Sequence, residues 1–329
     1  MLAQRAIVMP DADEAPWLTI GSTAAFLAGA HVGLTAFDAG GDLAPLWSSP
    51  HVSELPPLAV ADVVVTVAGS SLVAVRQDRN DVAWRVALDA APTTLFALGD
   101  RVGVSTGRNL STWDAHGAPG WRASLSGAPA TPFVTDGGVA YVGLDDASLA
   151  VVEIATGAIQ WRVALAAKPE SLAIGGDRLY ISAANGHLYS HRKVRGAKLE
   201  WDYGKIRAIR AIGQPVTDDR AVYVALLDNI LYAFGRSGGS ERWHAPLADR
   251  PATGPFVLED SVIVPLASGL VTEVRKDGRI RLPATPQKLA SSPSLQSAAL
   301  TRDRGRVLTV TTTEDLKRLL TAWGPPPIR

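Results

Sequence analysis

Short apolar segments punctuated by Gly, Asp and Pro recur along the whole chain, and no long window shows the helical spacing of apolar residues. Val139–Gly143, Arg178–Ser182 and Ala221–Ala225 are examples, each rich in Val, Tyr or Ile. Such residues fit the pleated surface of a strand, and the Gly and Asp between them fit turns. The pattern therefore predicts an all-β protein built from many short strands.

One phrase recurs within these segments: a Leu, a variable residue and then usually a small residue. Its eight copies begin at Leu34, Leu72, Leu110, Leu149, Leu188, Leu231, Leu270 and Leu320. Successive copies are 38 to 43 residues apart, except for a last step of 50 residues. A repeat of about 39 residues that holds about four short strands is typical of a β-propeller blade.

A Trp follows six of these Leu residues by 11 to 13 positions. The six are Trp47, Trp84, Trp121, Trp161, Trp201 and Trp243, and the seventh copy has Leu282 instead. A turn with Gly often precedes the Trp, as Gly239 precedes Trp243. We predict these Trp residues to be structural residues of the outer strands, where an indole buries roughly 150–250 Å² against the next blade.

The two ends of the chain complement each other. Too few residues follow Leu320–Gly324 for a fourth strand, whereas the apolar segment Gln4–Met9 precedes the first full repeat. Pairing that segment with the last blade would remove an unpaired edge. We therefore predict a single domain over residues 1–329: an eight-bladed β-propeller of four-stranded antiparallel blades. Its repeats would cover about residues 17–324, and the N-terminal strand, within residues 1–10, would close the last blade.

Two further segments follow from this assignment. Trp323 falls on a third strand rather than on an outer one. The extra length of the last step, residues 283–300, is either an ordered insertion or a loop.

The repeat resembles that of the PQQ-like, or quinoprotein-type, propeller family. Ala150–Trp161 and Leu231–Trp243 both end in Gly, three residues and Trp, as the outer strands of that family do. Its quinoprotein alcohol dehydrogenases bind PQQ and Ca²⁺ and carry a vicinal Cys pair, whereas this chain has no Cys and no Ca²⁺-ligand motif. The resemblance is closer to the BamB branch, which consists of eight-bladed, non-enzymatic lipoproteins of outer-membrane assembly.

The composition excludes several kinds of binding and catalysis. The 32 Lys and Arg balance the 32 Asp and Glu, so the chain lacks the overall positive field of a nucleic-acid binder. Without Cys there is no disulfide, Cys-ligated metal or thiol nucleophile.

His187 and His191 are the only close His pair, and we interpret them as a strand-edge pair in solvent. Neighbouring carboxylates such as Asp145 and Asp146, Asp218 and Asp219, or Glu314 and Asp315 suit turns. We predict no catalytic residue, no metal and no cofactor.

No membrane span or signal peptide is predicted. The uncharged stretch Ile20–Phe37 contains several Gly, Ser and Thr, and we interpret it as two half-buried strands around a turn. The N-terminus has no long apolar run and no lipidation Cys. A processed chain would lie in the periplasm or cell envelope, and an unexported one in the cytoplasm.

Basic residues concentrate in one region. Residues 192–210 hold seven Lys or Arg against two acids. The loop Gly204–Gly213, which overlaps the end of this region, alternates Ile with basic residues after an outer-strand Trp. A comparable inter-blade loop in BamB-like proteins carries exposed Leu and Arg that contact the barrel-forming partner. The resemblance therefore suggests Ile206, Arg207, Ile209 and Arg210 as a partner-binding surface, the alternative being a solvated rim.

These observations favour one function over two others. We expect a non-enzymatic protein-interaction scaffold, a BamB-like subunit of a bacterial envelope complex whose partners are other protein subunits, membrane-associated ones included. One alternative is a small-molecule or PQQ-binding propeller with an oxidoreductase role. Another is a cytoplasmic propeller subunit of a larger complex. The fold alone does not choose among them.

Overall fold

The computed structural model describes residues 3–7, 16–22, 24–204, 209–281, 294–300, 306–312 and 318–323. Over these residues it contains 32 strands and no helix. The strands form eight antiparallel sheets of four strands each, numbered here as blades 1 to 8. The predicted all-β architecture of eight four-stranded blades is confirmed. None of the described residues forms a helix long and apolar enough to cross a membrane.

The chain divides into two compact units, of which the first comprises Met1–Arg122 and Ala284–Arg329. Blade 1 consists of β2 Trp17–Ile20, β3 Ala25–Ala28, β4 Thr35–Phe37 and β5 Pro45–Ser48. Blade 2 consists of β6 Leu58–Val60, β7 Val63–Ala68, β8 Ser71–Arg76 and β9 Val82–Ala87. Blade 3 consists of β10 Thr94–Leu98, β11 Arg101–Thr106, β12 Asn109–Trp113 and β13 Pro119–Ser124. Blade 8 consists of β30 Ser294–Leu300, β31 Val307–Thr312, β32 Arg318–Trp323 and β1 Ala3–Ile7.

The second unit comprises Ala123–Pro283 and holds the other four blades. Blade 4 consists of β14 Val134–Asp136, β15 Val139–Gly143, β16 Ser148–Glu153 and β17 Ile159–Ala164. Blade 5 consists of β18 Pro169–Gly175, β19 Arg178–Ala183, β20 Leu188–Arg192 and β21 Leu199–Tyr203. Blade 6 consists of β22 Val216–Thr217, β23 Ala221–Leu226, β24 Ile230–Gly235 and β25 Glu241–Pro246. Blade 7 consists of β26 Phe256–Val257, β27 Ser261–Pro265, β28 Val271–Arg275 and β29 Ile280–Arg281.

The small residue of the repeated phrase lies opposite the Trp of the same blade. Ala74 pairs with Trp84 and Ala233 pairs with Trp243 across the third and fourth strands. Side chains at paired positions share a face of the sheet. A small side chain on the third strand therefore leaves room for the indole of the fourth.

The indole N–H of four outer-strand Trp residues reaches the following blade. Each donates to a backbone carbonyl in the turn between that blade's third and fourth strands: Trp47 to Gln77 (3.2 Å), Trp84 to Ala115 (2.7 Å), Trp201 to Arg236 (3.0 Å) and Trp243 to Lys276 (2.9 Å). In three of these turns a left-handed Gly lies against the ring, namely Gly117, Gly239 and Gly278. Only Gly allows this approach, because a Cβ at Gly239 would come within 2.5 Å of the Trp201 ring.

The N-terminal strand closes blade 8. β1 lies antiparallel to β32, with register pairs from Ala3 opposite Ala322 to Ile7 opposite Arg318, and it is the outer strand of that sheet. The predicted closure is therefore confirmed. Trp323 lies on the third strand, as expected, and donates its indole N–H to the Thr309 hydroxyl (2.7 Å).

Blade 8 has no Trp on its outer strand, and two other residues take over that contact. Leu43 lies four residues before Trp47, the position at which Gly117, Gly239 and Gly278 lie in their turns. Its backbone is left-handed and its side chain is fully buried. Its side chain packs with Leu308 and Leu320 of blade 8. The Arg306 guanidinium donates to the Gly41 carbonyl (3.0 Å), the kind of acceptor that the indoles of Trp47, Trp84, Trp201 and Trp243 also use.

Two segments of the chain, residues 20–37 and 283–300, compare with their sequence expectations as follows. Residues 20–37 hold two strands, as predicted, but β3 is fully buried rather than half-buried because hydrophobic clusters lie on both of its faces. Of the extra segment 283–300, residues 294–300 form β30, whereas the rest, with Leu282, lies outside the described residues.

Candidate interaction surface

The predicted partner-binding loop joins β21 to β22. Ile206 and Arg207 lie outside the described residues. Ile209 is half-buried and packs against a cluster that includes Tyr180 and Phe234. Of the two described members of the predicted surface, Arg210 is the exposed one.

Arg210 ties the loop to two neighbouring elements. Its guanidinium forms an ion pair with Glu170 of β18. Its carbonyl accepts a hydrogen bond from the Leu227 amide (3.0 Å), and Ala211 forms a β-bridge with Leu226. Leu227 is 39% exposed. Residues 209–211 of the loop and the turn between β23 and β24 therefore form one surface, named here the loop rim, where an exposed Leu lies beside an exposed Arg.

Leu227 was missed by the sequence reasoning. It follows Leu226 of β23 and comes before Asp228, so the local pattern marks only the end of a strand and a turn. The signal that could have found it is the pair of adjacent Leu residues, since successive side chains of a strand point to opposite faces.

A His–Asp pair supports the start of the loop. His187, in the turn between β19 and β20, lies with Nδ1 2.7 Å from Oδ1 of Asp202. Its ring stacks on Tyr189, with ring centroids 5.5 Å apart. Gly204 has φ +126°, and a Cβ there would lie about 3 Å from His187 atoms. The pair therefore fixes the point where the chain leaves β21.

His191 corrects the interpretation of the His pair as solvated. It is buried, and its Nδ1–H donates to the Ala197 carbonyl (2.6 Å). Burial lowers the pKa of His191 below its ordinary value, because desolvation disfavours the charged form. The strand-edge interpretation failed because the neighbouring blade covers this face of β20.

The basic turn of residues 192–198 lies at the other end of blade 5. It connects β20 to β21, whereas the loop rim follows the opposite end of β21. Arg192 Nε lies 2.8 Å from Glu200, and Lys193 forms an ion pair with Asp136 of blade 4. The two basic segments therefore do not combine into one patch.

The carboxylate pairs at 145–146 and 218–219 lie in turns, as predicted; Glu314 and Asp315 fall outside the described residues. Asp145 accepts the Ala128 amide (2.9 Å). Burial opposes ionisation of Asp218, but hydrogen bonds from two backbone amides, the Tyr223 hydroxyl and Lys276 outweigh it and keep the pKa of Asp218 below its usual value. The chain itself thus supplies the hydrogen-bond partners of Asp145 and Asp218.

A cavity of about 530 Å³ opens between blades 6 and 7. Its lining includes Asp218, Tyr223, Trp243 and Lys276, and counts five acidic and five basic side chains. With no net charge, the cavity gives no electrostatic preference to an anionic ligand. In the part of the chain that the structure describes, no three His, Asp or Glu residues are grouped closely enough to hold a metal ion.

A family model described as outer membrane protein assembly factor BamB matches residues 30–243, about two-thirds of the chain. The chain belongs to the BamB family. No curated protein sequence matches it.

Solved structures agree on the fold. BamB from Moraxella catarrhalis is similar over 98% of this chain and 100% of its own, with 16% identity and a TM-score of 0.72. A computationally designed protein, Ika8, is similar with 16% identity and a TM-score of 0.73, and Sqt1 of Saccharomyces cerevisiae with 10% identity and a TM-score of 0.75. Each match also covers 98% of this chain and 100% of the other chain. At these identities the likeness shows the β-propeller fold alone, and one fold serves a designed protein, a yeast protein and a BamB.

Proposed function

We propose that this BamB-family chain is a non-enzymatic scaffold subunit of a bacterial envelope complex and that its partners are other proteins. The observation that carries the proposal is the match to the family described as an outer membrane protein assembly factor. The propeller of Moraxella catarrhalis BamB, which this chain matches over its full length, supports it. The proposed compartment is the periplasm or cell envelope.

The partner would dock on the loop rim. Exposed Leu227 and Arg210 lie together there, and Ile206 and Arg207 precede Arg210 in its loop. Arg and large apolar side chains side by side suit a protein interface, because they combine buried area with directional hydrogen bonds.

The loop rim is also held in place before any partner binds. The ion pair of Arg210 with Glu170, the bridge of Ala211 to Leu226 and the packing of Ile209 all fix one end of the loop. Ordering a surface in advance reduces the entropy lost on association. This preorganisation favours a docking role for the loop.

Affinity capture from membranes of the native host tests the proposal. The tagged chain is compared with the Arg207→Ala/Arg210→Ala variant. The matched control is Arg279→Ala/Arg281→Ala on blade 7, because Arg281 pairs with Glu273 much as Arg210 pairs with Glu170. We expect the tagged chain and the control to recover envelope subunits and the first variant to lose them.

Two results would overturn the proposal. In one, every partner stays bound to the Arg207→Ala/Arg210→Ala variant. In the other, the purified chain shows a bound chromophore in its visible absorption spectrum and recovers no partner, which would favour a ligand-binding propeller.

A further inference from the structure

The turn between β20 and β21 differs in charge from its counterparts in other blades. Residues 193–198 hold three cations, Lys193, Arg195 and Lys198, and no acid. The other six turns between third and fourth strands have a net charge of +1 or lower. Since the blades are repeats of one unit, these turns are internal controls for this one.

The cations of this turn are not all neutralised. Lys193 pairs with Asp136. Arg195 and Lys198 are exposed, and within the described residues neither side chain forms an ion pair or a hydrogen bond. Two aliphatic side chains accompany them: Val194 is 50% exposed and Leu199 is 48% exposed.

One residue of this turn packs on the neighbouring blade, whereas residues 194–196 are exposed. Ala197 lies four residues before Trp201, where other turns have the docking Gly, and it is left-handed and buried in a cluster with Trp161 packed against it. The turn has one more residue than its counterpart in blade 6, since 13 positions separate Leu188 from Trp201 but 12 separate Leu231 from Trp243. A Cβ at Gly196 would meet no atom within 4 Å. Residues 194–196 therefore form a projecting tip.

We propose that this tip inserts into the headgroup region of a bilayer that contains anionic phospholipid. Unpaired cations are attracted to such a surface, and exposed aliphatic side chains beside them enter the interface. A protein interface buries about 800 Å² on each partner, far more than two half-exposed aliphatic side chains offer, whereas a flat bilayer accepts a small tip.

The membrane contact would leave the loop rim free. The tip and the loop rim lie at opposite ends of β21, so one chain can contact a bilayer and a protein at once. This inference goes beyond the proposed scaffold function and does not depend on the identity of the protein partner.

Vesicle co-sedimentation tests the inference with the purified full chain. We expect binding to phosphatidylcholine vesicles that contain about one-third phosphatidylglycerol and not to vesicles of phosphatidylcholine alone. Arg195→Ala/Lys198→Ala should lower the partition coefficient about 30-fold, roughly fivefold for each cation. Arg279→Ala/Arg281→Ala, on blade 7, should leave it unchanged. Circular dichroism verifies that the variants fold.

A site-specific fluorescent label distinguishes insertion of the tip from purely electrostatic adsorption. Because the chain has no Cys, Val194→Cys can carry a single nitrobenzoxadiazole label. Its emission should shift to shorter wavelength on anionic vesicles, whereas the same label at Leu227→Cys on the loop rim should not respond.

Several outcomes would overturn the inference. They are equal binding to neutral vesicles, no binding to either kind, unchanged binding of Arg195→Ala/Lys198→Ala, or a label at residue 194 that stays in water while the protein sediments. Loss of an acidic protein partner from that variant, without any vesicle binding, would make the tip a protein contact instead.

Discussion

The Gly that lies four residues before an outer-strand Trp contacts the Trp ring of the preceding blade. Gly239 lies four residues before Trp243, yet it packs on the ring of Trp201. The sequence displays the spacing of Gly and Trp within one repeat. It does not display this contact, because the contact joins two repeats.

Gly239→Ala should destabilise the fold more than Gly137→Ala. Both Gly residues are left-handed, so Ala costs about 1–2 kcal/mol at either position. At Gly137 the new Cβ meets nothing, whereas at Gly239 it overlaps the Trp201 ring, which adds about 1–3 kcal/mol. Denaturant unfolding followed by circular dichroism measures the difference. Equal losses in the two variants would show that the Gly–Trp contact is unimportant.

Leu43 makes two opposing contributions to stability. Its left-handed backbone would favour Gly, by about 1–2 kcal/mol. Its buried side chain opposes the change, because removal of a core Leu costs about 2–5 kcal/mol. We expect Leu43→Gly to destabilise the chain in the same unfolding assay. An unchanged or higher stability would mean that Leu43 does not compensate for the missing Trp of blade 8.

The buried His191 should make stability fall in mild acid. Its folded pKa is lowered, so the unfolded chain takes up a proton below about pH 6.5 while the folded chain does not. The contribution is complete above that pH and is lost as the pH falls towards the folded pKa. His51, whose pKa burial and Arg85 also lower, acts in the same direction. The loss between pH 7.5 and 5.5 should be smaller in His191→Gln, and an identical loss would contradict the assignment.

Strand β1 is far in sequence from the other three strands of blade 8, so it can be deleted without changing them. Deletion of residues 1–10 should lower the melting temperature, because it exposes the edge of β32 along the whole register from Ala3 to Ile7. A chain of equal length with residues 1–10 scrambled is the control for length. An unchanged melting temperature after deletion would mean that the β1–β32 pairing adds no stability.

The blades were predictable because their strands are consecutive in sequence. Seven of the eight sheets pair strands that are neighbours along the chain, so the period of the repeat defines them. Closure by β1 was predictable because the apolar segment Gln4–Met9 precedes the first full repeat. The burial of His191 was not predictable, because a neighbouring blade covers it. The local alternation of polar and apolar residues is that of an exposed strand edge.

The candidate surface was predictable in part for a similar reason. The alternation of Ile and basic residues located the loop, but only the fold shows that Ile209 packs inwards and that Leu227, from another strand pair, joins Arg210. The strand order also separates the two basic segments, which sequence proximity alone would combine.

Site-specific photo-crosslinking in membranes of the native host would address the scaffold assignment most clearly. A photoreactive residue replaces Leu227 on the loop rim or, as the control, Ile280 of blade 7, and the two positions are similarly exposed at 39% and 41%. We expect crosslinks from position 227, and not from position 280, to a subunit of outer-membrane assembly or of another envelope complex. Crosslinks from neither position, or in equal yield from both, would contradict it.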